Sequence, residues 1–159
     1  MGRYRLPLEE VRALSNLYDR DFSAWADEQA SLLRAGKWSD VDVAHLIEEI
    51  ESMARSERRE LVNRLVVLML HLLKWRYQPA LRGNSWRLSI KEQRIRLASH
   101  LGDNPSLKSY LDEAIARAYR LAVIEAEKQT GLPETTFPDR CPFGIADMLD
   151  DHFWPDAAS

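Results

Sequence analysis

The sequence predicts an all-α protein: a bundle of four main helices and a C-terminal tail that contains a short helix. Apolar residues recur at intervals of three and four along most of the chain, and no stretch alternates over strand lengths. Glycine and proline occur only six and seven times, mostly between the periodic segments. The length of 159 residues fits one domain, 1–159, whose core needs no disulfide, and the single cysteine could form none.

The first two predicted helices lie in the N-terminal half of the chain. An apolar stripe predicts one helix from about Leu8 to Ala35. The second helix is predicted over about 40–77. Its length of about 57 Å allows a bend or a break near Ala54 to Glu57. One seam of this helix is expected to face the core, and it consists of Leu46, Ile50, Met53, Glu57, Leu61, Arg64, Leu68, His71 and Trp75.

Shorter periodic segments predict the remaining elements. A third helix spans 86–101, and a fourth opens at Asn104-Pro105 and ends near Gln129, before Gly131. The tail should form a short helix around 145–149. Four aromatic side chains are expected to pin the tail onto the bundle, namely Phe137, Phe143, Phe153 and Trp154.

Charge is distributed unevenly in this chain, whose net charge is −3. Residues 40–51 hold five acidic residues and no lysine or arginine, whereas residues 74–96 hold seven basic residues and one acidic residue. Arginines beside aromatic residues suit phosphate contacts and base stacking. The candidate residues for binding a ligand or nucleic acid are Arg76, Arg82, Trp86, Arg87 and Arg94. The favoured alternative is that the acidic and basic segments pair with each other, within one chain or across a dimer.

Three polar residues fall on the seam of the second helix at intervals of seven: Glu57, Arg64 and His71. Neighbours in this series lie about 10.5 Å apart along the axis, so the three do not form a triad. The favoured interpretation is that each is a hydrogen-bonded polar layer of the bundle. The alternative is an enzyme with an interhelical pocket near His71, whose weak catalytic candidates are His71, Glu57 and Gln93. The charged residues just before the apolar run are expected to form a solvated or paired helix surface.

Several classes of protein are disfavoured by the sequence. The paired Glu-x-x-His motifs of di-metal bundles are missing, so we predict no metal site. No glycine-rich phosphate loop occurs, and we predict no cofactor. The longest apolar run, 65–73, is far shorter than the roughly 20 residues of a membrane span, so we expect no membrane partner. One cysteine and no secretory pattern predict a cytoplasmic protein.

Six segments, taken in order, resemble a known family. They are YDRDFSAWADEQASLLRAGK, IEEIESMARSERREL, HLLKWRYQP, SWRLSIKEQR, NPSLKSYL and TGLPETTFPDRCPFGIADMLDDHFWP, and together they cover about 18–155. They resemble the bacterial domain-of-unknown-function family 29. The resemblance implies a helical bundle with no established activity, cofactor or catalytic residue. Two positions depart from the family pattern: asparagine is more usual at His45, which weakens a metal role there, and glycine at Ala54, which favours a straighter second helix here.

Three functional hypotheses follow from these observations. The leading one is a protein–protein interaction or self-assembly module, a homo-oligomer to whose assembly the acidic and basic segments contribute. The second is a binder of an anionic ligand or nucleic acid through residues 74–96. The third, and less favoured, is the enzyme with a pocket near His71.

Overall fold

The structure is a computed structural model that describes residues 17–156 and 158. These residues contain helices and no strand, so the predicted all-α class is confirmed. The main helices are α1 (Phe22–Arg34), α2 (Val43–Tyr77), α3 (Asn84–Asp103) and α4 (Leu111–Thr130), and the short helix of the tail is α5 (Ile145–Leu149). None of the described helices is long and apolar enough to cross a membrane.

The first predicted helix, from Leu8 to Ala35, is divided in the structure. Residues 17–20 are helical, but Asp21 interrupts the helix, and its side chain accepts a hydrogen bond from the Ala24 backbone N at 3.0 Å. Asp21 is therefore the N-cap of α1. Periodicity did not indicate this break because an aspartate also fits the polar face of a continuous helix. Residues 8–16 lie outside the described residues.

The described residues fall into two compact units, divided between Ala54 and Arg55. In the first unit, α1 is followed by a 3-10 turn, Trp38–Asp40, and by the first part of α2. Among residues 17–54 only Trp25 and Gln29 are buried. The organisation as one domain over residues 1–159 stays a prediction.

The second unit contains an extensive apolar core. Six side chains of α2 are completely buried in it: Leu61, Leu65, Leu68, Met69, Leu72 and Leu73. On α4 a completely buried alanine recurs at every fourth position, at Ala114, Ala118, Ala122 and Ala126. Residues four apart lie on one face of a helix, and a methyl side chain lets a neighbouring helix approach closely. Gly131, in the left-handed conformation at φ 72°, ends α4 where the sequence predicts.

The C-terminal tail packs onto this core through aromatic residues, as the sequence predicts. Phe137 and Phe143 are buried, and Phe153 and Trp154 pack against the core with part of their surface exposed. The Trp154 ring lies 4.6 Å from the Trp75 ring, measured between centroids. The tail is thus an integral part of the second unit.

The seam predicted along α2 is buried only from Leu61 onward. Leu61 and Leu68 are completely buried, but Ile50 is 64% exposed and Met53 is 68% exposed. The helix itself is continuous past Ala54, without the break that its length left open. Periodicity therefore identified the apolar face of α2, but it did not show which part of that face is covered.

Candidate interaction surfaces

An apolar stripe, consisting of Val43, Ile47, Ile50 and Met53, is exposed on the first part of α2. Spacings of four, three and three residues place these side chains on one face of the helix. Their exposed fractions range from 52% to 68%. Scattered apolar residues are ordinary on a surface, but an aligned set is typical of an interaction site. The sequence around the stripe contains no lysine or arginine from 38 to 54, and its acidic residues are Asp40, Asp42, Glu48, Glu49 and Glu51.

Polar contacts attach a different face of α2, and Asp42 just before it, to α1 and to the helical residues 17–20. Asp42 Oδ1 accepts a hydrogen bond from the His45 backbone N, and its Oδ2 accepts one from Trp25 Nε1 at 3.2 Å. Burial alone would raise the pKa of Asp42, but hydrogen bonds from His45 and Trp25 outweigh burial and lower it. Tyr18 donates its hydroxyl to Glu49 Oε1 at 2.5 Å, which raises the pKa of Tyr18 to about 12. These contacts leave the apolar stripe uncovered by α1.

A groove in the second unit, the α2–α4 groove, lies between these two helices. Its apolar part is lined by Val66 and Val67 of α2 and by Leu121 and Ile124 of α4. Leu121 and Ile124 have exposed fractions of 44% and 46%. These exposed side chains give the second unit an apolar surface of its own.

One end of the α2–α4 groove is a cleft of about 550 Å³ that we call the arginine cleft. Its charged lining residues are Arg55, Arg58, Arg59, Glu113 and Arg117. The sequence reasoning missed this site because it treated residues 55–60 as helix surface. The three arginines at spacings of three and four were a signal for a basic face, but their juxtaposition with α4 required the fold.

Two of the arginines predicted to bind a ligand hold the C-terminal tail. Arg94 is 2% exposed and donates from Nε to the Met148 carbonyl at 2.9 Å and from Nη2 to the Phe153 carbonyl at 2.6 Å. Burial lowers the pKa of Arg94, and the nearby carboxylates of the tail act against that shift. Arg82 donates from Nε to the Trp75 carbonyl of α2 at 2.7 Å and from Nη2 to the Pro155 carbonyl of the tail at 3.5 Å. These contacts give both side chains a structural role.

The other predicted ligand-binding residues have local contacts. Arg87 donates from Nε and Nη2 to Asn84 Oδ1, three residues earlier. The Trp86 ring lies under the Lys74 ammonium, with Nζ 4.6 Å from the ring centroid. Arg76 has a buried Nε without a hydrogen-bond partner among the described residues, and its guanidinium lies 5.8 Å from the Tyr77 ring centroid. A binding role for the basic 74–96 segment stays a prediction.

The three weak catalytic candidates are not joined to each other by any hydrogen bond among the described residues. His71 Nδ1 lies 2.7 Å from the Val67 carbonyl oxygen, one turn earlier on α2, an arrangement that makes Nδ1 the donor. Glu57 is exposed and instead faces α3, where its backbone carbonyl lies 3.0 Å from His100 Nε2. Gln93 has a buried Oε1 without a partner in the described part of the chain. Between residues 17 and 156, no group of three histidine, cysteine or acidic residues could hold a metal ion.

His71 is expected to make the stability of the protein depend on pH. Burial, together with the charge of Lys74, lowers the pKa of His71 below its ordinary value of 6.5, while the hydrogen bond to Val67 opposes the shift. The unfolded chain then binds this proton more readily than the folded chain, so stability rises with pH across this window. The contribution is fully present above about pH 6.5 and is lost as the pH falls toward the lower, folded pKa.

This pH dependence can be measured by urea unfolding at about pH 7.5 and about pH 5.5. The difference in unfolding free energy between the two pH values should shrink in His71→Gln. The exposed His152 provides the control, because His152→Gln should leave the difference unchanged. An equal difference in the wild type and in His71→Gln would contradict the prediction.

The described residues define an all-α protein that presents an exposed apolar stripe among acidic residues and a groove with a basic end. The chain belongs to the family described as Domain of unknown function DUF29, whose family model matches residues 17–154. The family resemblance seen in the sequence is therefore confirmed. Comparison with curated proteins and with solved structures gives no match.

Proposed function

We propose that this protein is a self-assembly module, in which the apolar stripe of one copy docks into the α2–α4 groove of a second copy. The observation that carries the proposal is the exposure of the stripe, whose four side chains are each more than half exposed. Removing such a side chain from water contributes about 1.5–3 kcal/mol when burial is complete. An uncovered stripe therefore gives a substantial driving force for association.

Charge favours the groove of a second copy, rather than a second stripe, as the docking site for the stripe. Residues 17–54 hold nine acidic and three basic residues, so two stripes that faced each other would bring like charges together. The groove has the opposite character, since four arginines and one glutamate line its end. Complementary charges favour the stripe-to-groove arrangement over the stripe-to-stripe arrangement.

The two surfaces also match in length and in chemistry. The stripe extends over eleven residues from Val43 to Met53, and the ten steps between them span about 15 Å of helix at 1.5 Å per residue. The α2 wall of the groove extends from Arg55 to Val67, or about 18 Å by the same rise. Each surface combines exposed apolar side chains with one sign of charge, so docking buries both apolar surfaces at once.

The proposal is tested by placing a charge at the centre of the stripe. Ile50→Asp should increase the dissociation constant of the assembly by about tenfold or more, because a buried carboxylate would have no partner in an apolar contact. Leu121→Asp, on the groove side, should have the same effect. Light scattering over a range of concentrations measures the change, since a monomer has a mass of 18.4 kDa.

Ser52→Asp is the matched control for the stripe. Ser52 is exposed on the same stretch of α2 but points away from the stripe, so the same added charge should leave the mass unchanged. A wild-type protein that stays monomeric at high concentration would overturn the proposal. An assembly that survives both Ile50→Asp and Leu121→Asp would also overturn it, because another surface would then hold the copies together.

A further inference from the structure

We infer that the arginine cleft is a binding site for a small anion that carries two or more phosphate groups. This inference goes beyond the proposed self-assembly, and it does not require it. The cleft is built by one face of α2 and the facing surface at the start of α4. Arg58 and Arg59 lie three and four residues after Arg55 on α2, and Arg117 lines the cleft from α4.

The lining of this cleft is strongly basic, and two of its arginines have no acidic partner among the described residues. Four guanidinium groups line the cleft against the single carboxylate of Glu113. Within the described part of the chain, Arg59 and Arg117 form no hydrogen bond and no ion pair. Like charges brought together on facing helices repel each other, and an anion placed between them would turn that repulsion into attraction. This arrangement favours a ligand with more than one negative charge.

Other lining residues suit the same ligand. The Arg58 guanidinium lies 5.5 Å from the centroid of the Tyr110 ring, a cation–π contact that orients the side chain. Asn63 also lines the cleft and supplies a neutral hydrogen-bond donor. Val62 and Leu121 form an apolar part of the lining. The cleft therefore offers charged groups for phosphates and neutral groups for the rest of a ligand.

The residue type and the volume both favour phosphate over a simple carboxylate. Guanidinium groups donate two parallel hydrogen bonds to phosphate oxygens, and several such groups can surround one diphosphate. The volume of about 550 Å³ lies within the range of small-molecule sites, roughly 300–1,000 Å³. The phosphate groups could come from an inorganic polyphosphate or from a nucleotide, and the two sources share this chemistry.

The test is titration calorimetry with inorganic pyrophosphate on the full chain at low salt. Pyrophosphate should bind more tightly than orthophosphate, and the affinity should fall as salt is added. The combined change Arg59→Gln and Arg117→Gln should weaken pyrophosphate binding by about tenfold or more, because two charge-assisted contacts are lost. Arg140→Gln removes the same charge at an exposed position outside the cleft, and it should leave the affinity unchanged.

A parallel titration with ADP distinguishes the sources of phosphate. Tighter binding of ADP than of pyrophosphate supports a nucleotide ligand, and equal binding supports recognition of the phosphates alone. Repeating both titrations in Ile50→Asp separates this site from self-assembly. A docked second copy would compete for the cleft, so this variant should bind pyrophosphate at least as tightly as the wild type. Absence of pyrophosphate binding at low salt would overturn the inference. An affinity unchanged by the double arginine variant, or binding only of long oligonucleotides, would do so as well.

Discussion

Replacement of Arg94 by methionine is expected to lower the free energy of unfolding by about 3 kcal/mol. Arg94 is buried, and its guanidinium donates hydrogen bonds to the carbonyls of Met148 and Phe153. Hydrogen bonds from a charged group contribute about 1.5–3 kcal/mol each, and the two carbonyls would be left without these donors. Methionine also removes the buried charge of Arg94, whose desolvation is unfavourable, and this gain offsets part of the loss. Methionine retains much of the length and the apolar stem of arginine.

Urea unfolding at neutral pH measures the expected loss in Arg94→Met. Arg87→Met serves as the matched control, because the Arg87 side chain forms hydrogen bonds only with Asn84 of its own helix among the described residues. Its change should stay within about 0.5 kcal/mol, as for an ordinary surface substitution. Fluorescence of Trp154 should report the release of the tail in the Arg94 variant, since that ring lies 5.3 Å from the guanidinium. A loss below about 1 kcal/mol would show that the tail is held by its aromatic residues alone.

The role of Arg94 could not be predicted from the sequence, although the local structure around it could. Helix α3 follows from its periodicity and its flanking turns, and α5 occurs at the residues expected for it. The partners of Arg94, however, are backbone carbonyls more than fifty residues away. A carbonyl belongs to every residue, so the sequence carries no mark of which one an arginine will reach. Composition therefore placed Arg94 with the ligand-binding candidates.

The apolar stripe and the arginine cleft also show that the sequence predicts local structure but not tertiary contacts. The period of α2 was sufficient to align Ile50 and Met53 with Leu61 and Leu68. Whether each part of that face is covered depends on the positions of other helices, which local periodicity does not determine. The arginine cleft likewise depends on how α2 and α4 face each other. Helical spacing thus predicted faces, while burial and juxtaposition required the tertiary structure.

The stability of the first unit should depend strongly on one side chain, Trp25. Trp25 is 2% exposed and is the only buried apolar residue among residues 17–54. Its ring contacts are with Tyr18, Phe22 and His45, and its indole donates to Asp42. Trp25→Ala should therefore cost about 3–5 kcal/mol, the range for a buried tryptophan. A unit with so small a core is only marginally stable, so a loss of this size should unfold it.

Hydrogen exchange followed by mass spectrometry locates the effect of Trp25→Ala. Backbone amides of residues 22–50 should lose protection, while those of residues 61–73 and 114–126 should keep theirs, because the second unit has its own buried core. Phe22→Ala is the control, since Phe22 is half exposed and its loss should change protection little. If the amides of both segments lost protection together, the chain would unfold as one cooperative domain, as the sequence predicts. If only the amides of the first unit lost protection, the two units would unfold independently, and the boundary between Ala54 and Arg55 would separate two cooperative units.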